Sequence, residues 1–414
     1  MKQIYRDMKK VALLIVFTCI AILVNAQESE DKNNASFNLG SGLNFSFNEG
    51  NYQFNLGGFI TPTYSYNKDS GSDAENTFNS RNSFFILAGK AVNEKVSFLV
   101  QTDYSQSNPL LDAWLAYHPR NNFTITFGQK QTFVNNREMT YREDRLQFTN
   151  RSLLSQTLSN TGREFGVFIE SKFKIANQFG IAPMVAVTSG DGRNSFGSDS
   201  RDSDLGGLKI GGRLDVYPIG YFTEGNNLFS ADLAHEQQLK FVIGAAISKN
   251  TGASNAVGEG HGDFLLYDVN GNDNFPDYSQ AFIDLLLKYK GFSLLAEYAN
   301  ASADGLDLMY TDEAATQILV PQQISEFLVL GDSYNFQAGY VTKKGVGFDV
   351  RYESAMPEFT SNLSSLLTEY NSFTLGLTKY FDKNNLKMQA AISTIDVANG
   401  NNQTVGEFLI QVVF

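Results

Sequence analysis

The stretch Asn122-Phe123-Thr124-Ile125-Thr126-Phe127-Gly128 decides the fold, because its side chains alternate in character. Phe123, Ile125 and Phe127 fall on one face of an extended chain, and small polar groups fall on the other. Residues 346–353 repeat the pattern, with charged residues opposite the apolar row. Alternation over about ten residues is typical of a strand that crosses a bilayer with one face towards lipid and the other towards water. The pattern therefore predicts membrane-spanning β-strands.

About sixteen such segments follow one another from residue 52 to the end of the chain. We place them near 52–66, 80–91, 94–105, 109–119, 122–130, 163–173, 177–189, 205–218, 237–249, 279–290, 291–302, 333–343, 345–356, 370–381, 384–396 and 404–414. Most connections between them are alternately long, such as 131–162 and 250–278, and short, such as Val92-Asn93 and Lys290-Gly291. Two fit this rhythm less well, because 106–108 is short for an external loop and 219–236 is long for a turn.

Long external loops, short periplasmic turns and an even strand number are typical of bacterial outer-membrane barrels. The predicted fold class is therefore all-β, a transmembrane antiparallel β-barrel over residues 51–414. A soluble β-sandwich or propeller would also alternate, but its connections would not sort into a long and a short set. The chain also ends on an apolar alternating strand with a terminal Phe414, like the recognition strand of outer-membrane barrels.

Residues 1–26 are predicted to be a signal peptide. Four basic residues precede an apolar run of about 14 residues, which is too short to span a bilayer as a helix, and small residues stand at a cleavage site before Gln27. The sequence therefore predicts export to the outer membrane of a Gram-negative cell. Cys19, the one cysteine of the chain, lies inside this leader, so no disulfide or thiolate metal site is expected after cleavage.

The composition is acidic. Lys and Arg number 32 against 44 Asp and Glu, and removing the leader takes away four basic residues and one acidic residue, which leaves a net charge of −15. Such a charge argues against nucleic acid as a partner, since affinity for it comes from neutralised phosphates. Residues 27–50 form a polar segment that we predict to be either a periplasmic extension or an insert in the lumen.

The segment from Arg81 to about Lys172 resembles the phosphate-selective porin O and P family. The residues that carry the resemblance are Arg81, Asp103, Leu111–Tyr117, Phe127–Lys130, Asn150-Arg151-Ser152 and Thr161–Val167, in this order over about 90 residues. The resemblance implies a sixteen-stranded, usually trimeric barrel with a constriction lined by basic residues. It also implies inorganic anions such as phosphate as solutes.

Loop 131–162 is the predicted constriction, because a loop of about 32 residues in a compact barrel is usually functional or mobile. With Arg163 at its edge it carries five arginines against three carboxylates, inside an acidic chain. Guanidinium groups match phosphate and carboxylate, and rings of Arg or Lys set anion preference in pores. The candidate pore-lining and anion-binding residues are Arg81, Lys130, Arg137, Arg142, Arg145, Arg151, Arg163, Arg213 and Arg351.

An alternative interpretation gives these arginines a structural role, in which they pair with Glu138, Glu143, Asp144 and wall carboxylates and hold the loop. Asp215, Asp349 and Glu353 alternate with Lys209, Arg213 and Arg351 on the inward faces, which favours a transverse field over a uniformly cationic path.

Other site chemistries are not expected. Residues 268–274 have oxygen ligands at alternate positions, but Ser279 stands where a calcium loop needs its glutamate, so an Asx-rich turn is preferred and no metal or cofactor is predicted. An enzyme is not expected either, because none of His118, His235 and His261 is placed beside an outward serine on the lipid-facing wall.

The predicted function is passive diffusion of small hydrophilic solutes, with lipid of the outer membrane around the barrel. Two alternatives stay open. One is a gated or plugged barrel for another substrate class that uses residues 27–50, and the other is an adhesive or structural barrel that acts through loops 250–278 and 303–332.

Overall fold

The computed structural model describes residues 33–160, 162–175, 178–193, 206–258, 262–398 and 400–414. The predicted signal peptide, 1–26, lies outside the described residues, as do residues 27–32 of the polar segment after it. The strands are, in chain order, β1 (Asn34–Asn38), β2 (Gly42–Phe47), β3 (Tyr52–Asp69), β4 (Glu75–Ala91), β5 (Val96–Asp103), β6 (Leu110–Arg120), β7 (Phe123–Gln131), β8 (Arg163–Ser171), β9 (Phe173–Ile175), β10 (Phe179–Thr188), β11 (Lys209–Tyr217), β12 (Lys240–Asn250), β13 (Asp277–Tyr289), β14 (Phe292–Asp304), β15 (Gly331–Val341), β16 (Val346–Pro357), β17 (Tyr370–Asp382), β18 (Leu386–Val397) and β19 (Gln403–Val413).

These strands form one closed sheet. From β3 onward neighbours in sequence pair antiparallel, and β19 pairs with β3 to close the wall. β8 and β9 both pair with β10, so together they form a single wall strand. The result is a closed sixteen-stranded antiparallel β-barrel, which confirms the predicted fold class and strand number.

β16 shows how the alternating sequence builds this wall. Phe348 and Tyr352 are 57% and 45% exposed on the outer face, whereas Asp349 and Arg351 are 4% and 5% exposed on the inner face. A soluble protein would bury the apolar row and expose the charged one. The reversed arrangement suits a wall with hydrocarbon outside and polar groups inside.

The connections differ between the two ends of the barrel. At one end, Lys290 and Gly291 join β13 to β14 with φ of 48° and 92°, the geometry of a two-residue hairpin whose twist matches that of its strands. Short turns of this kind face the periplasm in bacterial barrels, so we name this the periplasmic end and the opposite one the external end. In the described connections lie four 3₁₀ turns, Glu138–Thr140, Glu143–Arg145, Asn226–Leu228 and Pro321–Glu326, and the short helix α1 (Leu153–Thr157). Among the described residues, no helix is long and apolar enough to cross a membrane.

The described part of the N-terminal polar segment is a β-hairpin. β1 pairs with β2, and β2 pairs with the first residues of β3, from Leu43 opposite Leu56 to Phe47 opposite Tyr52. β19 pairs with β3 from Phe59 onward, and Gly58 exchanges backbone hydrogen bonds with Phe414, the residue after β19. The hairpin therefore continues the wall at the periplasmic end, beside the end of the closing strand.

The largest apolar cluster lies at the external end. Connections 251–276, 305–330 and 358–369 pack with α1 and with the adjoining wall, and the buried members include Leu154, Leu266, Met309, Leu328 and Leu367. External connections of this barrel thus share a core of their own, which covers part of the lumen between β12 and β17.

Candidate functional site: the charged interior of the barrel

Loop 132–162, of which the structure describes 132–160 and 162, lies inside the barrel in its described part and is bound to the wall by buried ion pairs. Arg137 donates from Nε to Asp284 Oδ1 over 2.6 Å and from Nη2 to Asp215 Oδ1 over 2.8 Å. Arg213, on β11, donates to the same two carboxylates over 2.8 and 2.6 Å. Two cations and two anions therefore neutralise one another, which is the condition for burying them without a large cost.

A second group surrounds Glu138, which is 3% exposed. Its Oε2 accepts hydrogen bonds of 2.6 and 2.7 Å from the hydroxyls of Ser152 and Ser155, and Ser152 also caps α1. Arg351 of the wall lies with Nη1 3.5 Å from Glu138 Oε1 and Nε 3.2 Å from Glu353 Oε2. The short helix α1 is thus fixed to the wall through Glu138 and through the Leu153 amide, which donates to Glu353 of the wall.

A third group centres on Glu143. Arg151 Nη2 and Arg163 Nη1 lie 3.1 and 3.4 Å from its Oε1, and Arg163 Nε lies 3.0 Å from Asp112 Oδ2. Burial by itself would raise the pKa of Glu143, but Arg163 and Arg151 outweigh it and lower that pKa to about 2. Glu143 is therefore an anion at any pH at which the barrel works.

The remaining candidates are also paired. Arg81 binds Glu407 and donates to the Thr149 carbonyl over 2.7 Å, Lys130 binds Glu170, and Arg142 forms a two-pronged pair with Asp144. Arg145 is the loosest, since its Nε lies 3.9 Å from Asp144 Oδ1. All nine predicted cations thus have a carboxylate within 4 Å, which is the arrangement expected if the arginines pair with carboxylates and hold the loop. The cations form several separate groups rather than a single ring.

Segment 218–239, at the periplasmic end, is a second insert that the sequence interpretation treated only as an unusually long turn. Lys288 of β13 is fully buried and donates to the carbonyls of Asn226, Phe229 and Ala231 over 2.5, 2.8 and 3.0 Å. The Asp232 carboxylate accepts a hydrogen bond of 2.8 Å from the Gly291 backbone amide. These contacts hold the segment inside the periplasmic opening of the barrel. Lys288 shares its parity with Asp284, and that inward charge was the signal that could have revealed it.

The two inserts meet in the lumen. Gln337 Nε2 donates to Gln147 Oε1 of loop 132–162 over 2.8 Å and lies 3.4 Å from Ser230 Oγ of segment 218–239. The Arg145 guanidinium lies 5.9 Å from the centre of the Phe229 ring. The lumen is therefore narrowed from both ends.

The space that remains beside them is a cavity of about 680 Å³. It runs from the periplasmic turn at Asn121 and Asn122 to loop 132–162. Its charged lining residues are Lys130, Arg137, Arg145, Lys172 and Arg213 against Glu170 and Asp215. A smaller cavity of about 120 Å³ lies against another part of the loop, beside Arg81 and Thr149. The larger cavity has the more cationic wall.

Two other features bear on chemistry. Ser97 Oγ lies 2.7 Å from His118 Nε2, but the pair faces inward and His118 Nδ1 contacts the Thr124 hydroxyl at 3.0 Å, where a hydrolase would place a carboxylate. Asp268 accepts hydrogen bonds from its own loop at Asn270 and Asn272, in the manner of an Asx turn. Among the described residues, no group of three or more His, Cys, Asp or Glu could hold a metal ion.

No protein-family model matches the chain, and no curated protein sequence matches it either. Solved structures do match. A loop L8 deletion mutant of OmpT, an outer membrane protein of Vibrio cholerae, is 13% identical with a TM-score of 0.52 over 88% of this chain and 100% of that one. Salmonella typhi OmpF in complex with daunomycin is 12% identical, with a TM-score of 0.51 over 91% of this chain and 100% of that one. Pseudomonas putida OprB at high pH is also 12% identical, with a TM-score of 0.51 over 87% of this chain and 94% of that one. At such identities the similarity shows the fold, which is that of outer-membrane porins.

Proposed function

We propose that this barrel is a passive diffusion channel of a Gram-negative outer membrane, for small hydrophilic solutes and with a preference for anions. The observation that carries the proposal is the large cavity beside loop 132–162, which is lined by five cationic and two anionic side chains. A cleft with low-dielectric walls and one dominant sign of charge concentrates counter-ions. Inorganic anions such as phosphate are the solutes that this lining would favour.

Conduction has to pass loop 132–162. The inward faces of the strands are polar and charged, so water can occupy whatever space the inserts leave open. The cations that line the cavity are mostly paired already, so the preference for anions should be moderate rather than absolute. We expect a small conductance, because inserts from both ends narrow the lumen.

The narrower parts of the proposal come from the sequence. Residues 1–26 would direct export, and the mature chain would reside in the outer membrane. From the resemblance to phosphate-selective porins we further propose that the protein is a homotrimer and that phosphate is one of its solutes. We do not propose an enzyme, since in the Ser97–His118 pair the Nδ1 atom of His118 contacts the Thr124 hydroxyl at the position of a triad's carboxylate.

The test is single-channel recording of the refolded mature protein in planar bilayers under a KCl gradient, with and without phosphate. A steady current whose reversal potential favours chloride, and which phosphate reduces, supports the full proposal. A steady current that favours potassium keeps the channel and removes the anion preference.

A closed structural barrel is the second candidate. The observation that favours it is the packing of segment 218–239 into the periplasmic mouth, together with the apolar core of the external connections. A correctly folded barrel without any current would select this candidate over the channel.

A further inference from the structure

The large cavity has an apolar side that a path for inorganic ions does not require. Its lining includes the aromatic residues Trp114, Phe133, Tyr141, Tyr217 and Phe222. Phe222 and Tyr141 belong to one buried apolar cluster with Leu286. The cavity volume, about 680 Å³, lies in the range of sites that enclose small organic ligands.

Arg145 is the arginine of this lining whose charge is least compensated. Its nearest carboxylate, Asp144, already accepts hydrogen bonds of 2.6 and 2.9 Å from Arg142, and Arg145 stays 3.9 Å away. In the part of the chain that the structure describes, no hydrogen bond is formed by the Arg145 guanidinium. Burial and the neighbouring Arg142 lower the pKa of Arg145 to about 10, so it remains charged at neutral pH. Its donor fork is available for an anion.

Tyr141 supplies a second, independent indication of a ligand. Its side chain is 4% exposed and lines the same cavity, and its hydroxyl has no hydrogen-bond partner among the described residues. A buried hydroxyl without a partner is destabilising, and natural proteins rarely leave one. A bound acceptor beside it would remove this cost.

We propose that this cavity binds a small aromatic carboxylate. The carboxylate would accept hydrogen bonds from Arg145 and Tyr141, and the ring would lie against the aromatic side chains. Entry would be from the periplasmic turn, where Asn121, Asn122 and Lys172 line the mouth. The inference rests on the proposed channel function and narrows its solute class.

Trp114 makes the test direct, because it is the only tryptophan of the chain and it lines the cavity. The refolded full-length mature protein is titrated with 4-nitrobenzoate, whose nitroaromatic ring quenches tryptophan fluorescence. We expect saturable quenching by this probe, and only weak, unsaturable quenching by the neutral 4-nitrobenzyl alcohol. Inorganic phosphate should displace the probe at least tenfold less effectively than unlabelled benzoate.

Substitutions locate the site. Arg145→Gln should weaken binding of 4-nitrobenzoate at least tenfold, and Tyr141→Phe about threefold. Arg120→Gln removes an exposed arginine at the periplasmic end of β6 and should leave the affinity unchanged, so it controls for net charge. Each variant is first shown to fold by its heat-dependent mobility in gels.

Three results would overturn the proposal: equal quenching by the neutral probe, unchanged affinity in Arg145→Gln, or equal displacement by phosphate. KCl conductance of the same preparations separates this failure from that of the channel. Current without specific probe binding rejects only the aromatic carboxylate, whereas probe binding without current supports the site and rejects diffusion.

Discussion

Loop 132–162 and segment 218–239 both enter the barrel, from opposite ends, and they are held by different chemistry. The loop is fixed by several separate ion pairs to the wall, through Arg137, Glu138 and Glu143 among others. The most buried anchor of the segment is the ammonium group of Lys288, which main-chain carbonyls surround. Neutral hydrogen bonds, such as that from the Gly291 amide to Asp232, add to it. The comparison teaches that several ion pairs fix the loop, whereas one buried ammonium group carries the main charged contact of the segment, so one substitution should release the segment more readily than the loop.

The largest effect is expected for Lys288→Met. The substitution leaves the carbonyls of Asn226, Phe229 and Ala231 buried without their donor, which should cost about 3 kcal/mol of local stability. Exchange of backbone amide hydrogens in 218–239 should accelerate about 100-fold by mass spectrometry. Lys290→Met, two residues away and exposed, is the control. Unchanged exchange in Lys288→Met would show that Lys288 is not the main anchor of the segment.

Arg137→Gln tests the strongest wall contact of the loop. It leaves Asp215 and Asp284 with Arg213 as their one remaining cation, at a cost of about 2 kcal/mol. Amide exchange in 132–160 should rise roughly 30-fold, while 218–239 stays protected. The matched control is Arg142→Gln, because its carboxylate partner Asp144 belongs to the same loop. Its contact with the wall is to an aromatic ring, Phe59, and not to a charge. Equal effects of the two substitutions would contradict the role given to the wall contact.

Lys387→Met applies the same chemistry to the loop that Lys288→Met applies to the segment. Lys387 is buried and donates to the carbonyls of Asp144 and Leu146 over 2.9 and 3.1 Å. Because the ion pairs of the loop remain, the substitution should cost about 1 kcal/mol of local stability, clearly less than Lys288→Met costs the segment. Amide exchange in 132–160 measures it, with the exposed Lys383→Met as control. A loss as large as that of Lys288→Met would remove the claimed redundancy.

The smallest effect concerns pH. The pKa of Glu143 is lowered in the folded loop to about 2 from an ordinary value of 4.5, so its contribution to stability is complete above pH 4.5 and is lost as pH falls towards 2. Pepsin cleavage within 132–160 should therefore increase a few-fold over that window. In Glu143→Gln, pepsin cleavage should increase less steeply as pH falls. The same pH dependence in this variant as in the wild type would contradict the role given to Glu143.

The wall could be predicted from the sequence because alternation is a local property. All sixteen predicted segments coincide with wall strands, with ends shifted by only a few residues; β16, for example, was expected at 345–356 and spans Val346–Pro357. The inward parity of Arg213 and Arg351 follows from the same rule.

The interior could not be predicted in this way. Arg137 meets Asp215 and Asp284 because closure of the barrel brings β11 and β13 to the loop. The spacing of these residues in the sequence does not predict this contact. The inward parity that Lys288 shares with Asp284 could be read from the sequence, but the carbonyls that its ammonium group meets could not. The need of Arg145 for a partner emerged only once Arg142 was seen to occupy Asp144.

The hairpin β1–β2 bears on how the barrel avoids sticking to its neighbours. The closing strand pairs with β3 only down to Gly58, which exchanges backbone hydrogen bonds with Phe414, and β2 covers the edge below it through residues 43–47. The Gly40 amide donates to the Val413 carbonyl over 3.0 Å, so the hairpin turn also adjoins the end of the chain. An uncovered edge offers its amides and carbonyls to the strand of another molecule. During assembly, the first hairpin of the described chain would thus shield the seam against pairing between half-closed barrels.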